Sequence, residues 1–414
     1  MDKKLALIFP GGGTQYAGMG RSLYEQHEQV KRLYEEAGDI LGYDIKKVCF
    51  EGDLQSLSEM DNAQPAIYLF GMASWLVWQD SYGLTPTCAA GHSQGEYAAL
   101  AAAGVFAWQD GLRLIRKRGE LLKKAGQMHN GGMMAVNKVE QNVVEEACET
   151  VRPEGGRAYI AVYNSPLQYV VSGTRPDCEK VAERLRPLGA DVNILNINTP
   201  SHCPLMKEVT AEFEEALSGL SFNRPAFTVI GNVTAEALQT EEIPGRMVEH
   251  LTRPVRWQES MARMQEAGVN YFIDMGPQAV LQNLNKYLPG QPAGFALDVE
   301  EEREALQTTL QNLLPDAEGF MKKCLVLAVS TKNFNYDDES YQQRVVAPYR
   351  DLFKIRQEVP HHYRKTEKYQ KAFDLIKTIL TNKHIPEEKI EDYLDDLLHS
   401  TRMDEVLTNE KAPA

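Results

Sequence analysis

The chain has 414 residues, 43% hydrophobic and 25% charged, with a formal net charge of -14. That acidic excess excludes general binding to nucleic acid or to an anionic membrane, both of which need a positive field, and no apolar run reaches the roughly 18 residues of a membrane span. What remains is a globular chain of two or three structural units with room for a large core.

The first predicted strand is Leu5 to Phe9, too short an apolar stretch for a secretory signal, so a cytoplasmic protein is expected. Six scattered cysteines (Cys49, Cys88, Cys148, Cys178, Cys203, Cys324) show no Cys-x-x-Cys pair and read as reduced thiols, not as a disulfide framework or a structural zinc site. The strand runs into the loop Pro10-Gly11-Gly12-Gly13-Thr14-Gln15, then helical patterns to about Trp78. No Gly-Lys-Ser/Thr follows these glycines and the Gly-x-Gly-x-x-Gly spacing is not met, which sets nucleotide binding aside.

Next comes the apolar Thr87-Cys88-Ala89-Ala90, then Gly91-His92-Ser93-Gln94-Gly95-Glu96, then an alanine-rich helix from Tyr97 to Ala103. Glycines two residues to either side of Ser93 let the backbone bend sharply and let helix and strand approach closely. The hydroxyl then stands at a helix N-terminus, whose free N–H groups can hold an oxyanion. The alternative is a tight turn with an incidental serine, since the pentapeptide also arises by chance. Both glycine loops follow strand C-termini, where open α/β sheets place their ligand crevices.

From Asp110 to Gly126 a helical stripe of Leu112, Ile115, Gly119 and Leu122 faces inward, with Arg113, Lys117, Glu120 and Lys124 on the solvated side. Arg118 shares the inward face and needs an anion there. A core carboxylate or a snorkelling side chain would satisfy it; a substrate carboxylate bound bidentately would do so too.

Residues from about Gly132 to Asn198 read as β-α-β-β-α-β, the ferredoxin-like order, inserted into the α/β pattern so that two lobes enclose a cleft. Thr199-Pro200-Ser201-His202-Cys203-Pro204 follows at the junction. His202, between two prolines, is either a surface-loop histidine or a cleft-facing base able to take the serine proton. The α/β pattern resumes with strands at Phe227 to Asn232, Tyr271 to Asp274 and Gly294 to Leu297, and with helices at Trp257 to Gln265, Ala279 to Leu288 and Glu300 to Leu313. After Pro315 the character changes: Lys322 to Val329 is strand-like or simply buried, and helical patterns follow near Glu339 to Arg356, Glu367 to Leu380 and Glu387 to His399. The expected fold is α/β. It comprises a large α/β-hydrolase-like domain with a mostly parallel sheet (residues 1–130 and 199–315), a small ferredoxin-like α+β subdomain (131–198), and a mainly helical C-terminal extension (316–414), read as a small helical cap or as a docking element.

Taken together, Phe-Pro-Gly-Gly-Gly-Thr-Gln (9 to 15), Gln-Pro-Ala (64 to 66), Gly-His-Ser-Gln-Gly-Glu-Tyr (91 to 97), Lys-Arg-Gly (117 to 119), Asn-Ser-Pro (164 to 166), Pro-Ser-His-Cys (200 to 203), Pro-Val-Arg-Trp (254 to 257) and Met-Gly-Pro (275 to 277) occur in family order. Over residues 3 to about 312 the chain resembles the malonyl-CoA:acyl-carrier-protein transacylases of fatty acid and polyketide synthesis. Arg118 and His202 stand 25 and 109 positions after Ser93, as that pattern requires. The resemblance implies that Ser93 is the nucleophile, that His202 is the base, and that backbone N–H groups of Gln94 and Gly12 form the oxyanion hole. It also gives Arg118 the malonyl carboxylate, and it gives the His250 backbone carbonyl, where the family usually has glutamine, the task of orienting His202. No metal or bound cofactor is implied; the substrates are malonyl-CoA, a coenzyme A thioester, and the phosphopantetheine thiol of an acyl carrier protein or carrier domain. The C-terminal extension, which lies outside that resemblance, is similar to what a discrete, polyketide-type transacylase carries more than a fatty-acid one. Departures lie in the first loop, where Gly12 replaces a glutamine and Thr14 a serine, leaving the extender unit open. Two alternatives are an acyl hydrolase on the same scaffold and a transacylase using a modified or carrier-bound malonyl donor; the stripe Arg113, Lys117, Lys124 is a candidate carrier-facing surface or an ordinary solvated face.

Overall fold

The computed structural model describes residues 4–152, 155–360 and 363–408; the first three residues and the last six, which the expected domains included, lie outside the described residues. The chain divides into two compact units, Met1–Leu76 with Pro86–Leu306, and Val77–Thr85 with Gln307–Ala414.

The first unit is built on a five-stranded sheet of β1 (Leu5–Phe9), β2 (Cys88–Gly91), β7 (Thr228–Ile230), β8 (Tyr271–Asp274) and β9 (Ala293–Ala296), in the order β7-β2-β1-β8-β9 and parallel throughout. All five residues of β1 are buried, as a parallel strand covered on both faces requires. Phe9 pairs with Gly91 and Ala90 with Ile230. The segments leaving β1, β2 and β7 therefore emerge along one carboxyl edge of the sheet, which brings the Gly11–Gln15 loop, the Ser93 turn and Asn232 together.

The inserted sheet comprises β3 (Gly131–Asn137), β4 (Ala158–Ser165), β5 (Gln168–Thr174) and β6 (Asp191–Ile194), antiparallel in the order β4-β5-β3-β6, with helices Gln141–Val151 and Arg175–Leu185. That is the ferredoxin-like order read from the sequence. Its own core gathers Met134, Val144, Val151, Val171, Val181 and Leu185. A short bridge between Val162 and Val255 ties it to the first sheet's side of the unit. The strand expected over Phe227 to Asn232 is shorter, Thr228–Ile230, and the helix Ile243–Thr252, with a buried stripe of Ile243, Met247, His250 and Leu251, was not anticipated.

The second unit has a core of its own, including Phe320, Cys324, Leu352, Ile376, Ile379 and Leu398, from helices Ala317–Ser330, Ala347–Glu358, Glu367–Asn382 and Glu387–Thr401. The segment left open as strand-like or buried, Lys322 to Val329, is helical, and its apolar run is what a helix carrying Phe320, Met321, Cys324, Leu325 and Ala328 inward produces. Lys383, 3% exposed, donates from Nζ to the carbonyls of Ala328 and Thr331 at 2.7 Å each, satisfying carbonyls at that helix's C-terminus. All six cysteines are free and buried, and among the described residues no helix is long and apolar enough to cross a membrane.

Candidate active site

The serine turn depends on its glycines for close approach. A Cβ on Gly91 would lie 1.9 Å from the carbonyl carbon of Gly95, and one on Gly95 would lie 2.0 Å from the carbonyl oxygen of Phe9 on β1. With both positions bare, helix Gly95–Ala102 starts against the sheet and Ser93 takes a left-handed backbone, φ 52°. Its neighbour Gln94 precedes the first helical residue, and first-turn amides have no intrahelical acceptor.

His202 also has a left-handed backbone, φ 59°, and is 3% exposed. Its Nε2 lies 2.7 Å from Ser93 Oγ and its Nδ1 2.8 Å from the His250 carbonyl oxygen. A carbonyl only accepts, so Nδ1 carries the proton and Nε2 presents a lone pair to the serine hydroxyl. Burial, together with the positive charge of Arg118, pushes the His202 pKa down to about 3. The imidazole is therefore neutral, as a proton acceptor must be. His250, whose carbonyl makes that contact, has its own ring fully buried and 4.8 Å from the His202 ring, centroid to centroid.

Arg118, on helix Trp108–His129, is 1% exposed. Among the described residues its side-chain partners are not carboxylates. Nη1 donates to Gln64 Oε1, Nη2 reaches Ser93 Oγ at 3.4 Å, and the guanidinium lies 5.9 Å from the Tyr97 ring centroid. Gln64 uses one of the five guanidinium protons, and Nη2 remains turned toward the serine oxygen. Ser93, His202 and Arg118 thus converge on one cavity of about 1150 Å³, walled on one side by the ferredoxin-like subdomain through Val162 and Leu195.

Gly12 lines the same cavity with nothing within 4 Å of where its Cβ would be. The loop around it is fixed by Thr14 Oγ1 donating to Gly11 O, by Gly13 N–H donating to Gln15 Oε1, and by Gln15 Nε2 donating to Ser58 Oγ, each at 3.0 Å. The basic stripe is partly neutralised. Arg113 pairs with Asp110, while Lys117 and Lys124 share Glu212.

Six participants escaped sequence reasoning. Gln64 holds Arg118; Glu96 and Asn232 sit buried beneath the serine turn; His92 contacts Asn164 Oδ1 at 2.8 Å and the Trp257 ring edge-on. Gln64, His92, Glu96, Asn164 and Trp257 lie inside motif segments, which is the signal that was there. Asn232 follows an apolar strand with no local mark at all.

The acyl transferase domain model matches residues 6–330. A malonyl CoA-acyl carrier protein transacylase of Bacillus subtilis is 32% identical over 388 residues, 92% of this chain and 97% of the relative. That match enters the C-terminal helices, which the resemblance had left out, because residues 1–315 are only 315 of 414. A second transacylase of the same name, from B. subtilis strain 168, is 36% identical over 308 residues, 74% of this chain and 97% of the relative. Among solved structures, a malonyl-transacylase in complex with the holo acyl-carrier protein of a type II polyketide synthase aligns with TM-score 0.70 and 32% identity, over 75% of this chain and all of that one. With the motifs, the sheet order and the site geometry agreeing, the chain belongs to the acyl transferase domain family.

Proposed function

We propose that the protein transfers a malonyl group from malonyl-CoA to the phosphopantetheine thiol of an acyl carrier protein, supplying extender units for polyketide or fatty acid synthesis. His202 Nε2 takes the Ser93 proton as Oγ attacks the thioester carbonyl. The tetrahedral oxyanion is held by the N–H groups of Gln94 and Gly12. It collapses with loss of coenzyme A thiol, protonated by His202, to a malonyl-serine ester; the carrier thiol then attacks in the reverse sequence, completing ping-pong transfer. The observation that carries the reading is Arg118 Nη2 at 3.4 Å from Ser93 Oγ in a cavity of about 1150 Å³, a cation within reach of the distal carboxylate of a three-carbon diacid esterified at that oxygen. A hydrolase on this scaffold has no need of that cation. Intact-protein mass spectrometry after mixing with malonyl-CoA, acetyl-CoA and methylmalonyl-CoA tests it: a malonyl adduct is expected, and no added mass would sink the proposal.

Only neutral His202 accepts a proton, so lowering its pKa from 6.5 to about 3 moves the acid limb of acylation downward. Kcat/KM for malonyl-CoA should show no His202 inflection between about pH 5 and about pH 8. Burial lifts the Glu96 carboxyl to about 7; an inflection there belongs to Glu96 and should vanish in Glu96→Gln. One near 6.5 that survives Glu96→Gln would mean that His202 is hydrated.

The open space at Gly12 supports a donor bulkier than malonyl. A Cβ there would meet nothing within 4 Å, so Gly12→Gln puts a side chain into that space and should lower the methylmalonyl-to-malonyl adduct ratio roughly tenfold in a mixed-donor assay. An unchanged ratio would remove Gly12 from extender selection.

A further inference from the structure

The left-handed backbone at Ser93 is a conformation that a residue with a Cβ keeps only when its surroundings hold it. The hold comes from Asn232, two residues past β7. Asn232 Oδ1 accepts Ser93 N–H at 2.9 Å and Nδ2 donates to Gly91 O at 2.6 Å, so one side chain grips the turn on both sides of His92. Asn232 is itself fixed by Glu96, whose Oε2 accepts the Asn232 backbone N–H at 2.6 Å and the other Nδ2 proton at 2.5 Å. Asn232 is 2% and Glu96 1% exposed. The amide orientation has one solution: flipped, Oδ1 would face the Gly91 carbonyl and the Glu96 carboxylate, and the NH2 would face an N–H donor.

Glu96 thereby connects three parts of the site. It stands in the first turn of the serine helix, binds the residue that grips the serine turn, and points Oε1 toward His250 Nδ1 at 3.8 Å. Arg118 is the neighbouring cation.

We propose that Glu96 and Asn232 are positioning residues for the nucleophile: through the N–H of Ser93 and the C=O of Gly91 they keep Ser93 Oγ within reach of His202 Nε2. This rests on reading Ser93 as the nucleophile. Neither residue touches the acyl group, so losing them should slow acylation while leaving malonyl-CoA binding in place.

Rapid-quench mass spectrometry of malonyl-enzyme formation tests it. Asn232→Ala is expected to load roughly 100-fold more slowly at saturation with KM changed less than about threefold. Glu96→Ala should lose a similar factor, and Glu96→Gln should recover most of it, because an amide oxygen accepts the same two N–H bonds. Asn232→Asp sets a new carboxyl against the Glu96 carboxylate and the Gly91 carbonyl, so its loading should rise as pH falls and one shared proton restores a donor. Loading of Asn232→Ala at the wild-type rate, or a Glu96→Gln loss as deep as that of Glu96→Ala, would overturn the proposal. Should Asn232→Ala not fold, an Asn232→Asp profile that does not rise toward acid would overturn it equally. A wild-type protein that forms no malonyl adduct sinks instead the functional reading on which this one stands.

Discussion

Ser93→Ala is expected to form no malonyl adduct and to transfer nothing to a holo carrier protein, while folding as the wild type does. Oγ is the atom that His202 Nε2 approaches at 2.7 Å and that Arg118 Nη2 approaches at 3.4 Å, so its removal leaves the base and the cation converging on an empty point. His202→Ala keeps the hydroxyl but leaves its proton without an acceptor, and loading should fall by about 10² to 10⁴. Because the two act as one unit, the double variant should be no slower than Ser93→Ala alone. Adduct mass and carrier loading measure both, with circular dichroism as the check on folding. An adduct that persists in Ser93→Ala would place the ester on another residue and overturn the mechanism.

The serine turn, the arginine stripe and the histidine junction were legible because each couples a local pattern to a geometric need. Gly91 and Gly95 had to be small for helix and strand to meet, and the distances to Gly95 and Phe9 bear that out. Arg118 broke an apolar stripe and so had to be buried among side chains that tolerate it. The helix carrying His250 was missed because its polar residues, Glu249, His250 and Thr252, mask a short stripe completed only by tertiary packing. Lys322 to Val329 was ambiguous for the opposite reason: a short apolar run fits a strand or a helix equally, and the flanking residues that make it one buried helix show no strict period. Asn232 and Glu96 stayed silent because their roles exist only between elements 136 positions apart; neither residue type in its own segment demands a partner. The 3.8 Å between His250 and Glu96 likewise has no counterpart in the linear sequence.

Arg118→Ala should change which acyl group is loaded more than whether any is. In the wild type the guanidinium is 1% exposed, held through Nη1 by Gln64. It has already lost its hydration, and a carboxylate arriving beside Ser93 therefore gains a charge-assisted bond without further cost to the cation. Truncating it leaves that carboxylate without its cation, a loss of about 2 to 5 kcal/mol, or roughly 30-fold or more in kcat/KM for malonyl-CoA at about 1.4 kcal/mol per decade. Acetyl-CoA has no carboxylate to lose, so its loading should hold at neutral pH; removing a buried positive charge next to Oγ also removes one of the two main causes that hold the His202 pKa down. The same variant should therefore raise the His202 pKa and bring an acid limb of acetyl loading up toward the ordinary histidine range. Gln64→Ala should reproduce a weaker form of the selectivity change, since Nη1 keeps its charge and loses only its anchor. Competition between malonyl-CoA and acetyl-CoA, read as adduct ratio in wild type, Arg118→Ala and Gln64→Ala, decides the matter: a graded shift toward acetyl is expected. An unchanged ratio in Arg118→Ala would make the arginine a packing residue and move malonyl recognition elsewhere in the cavity.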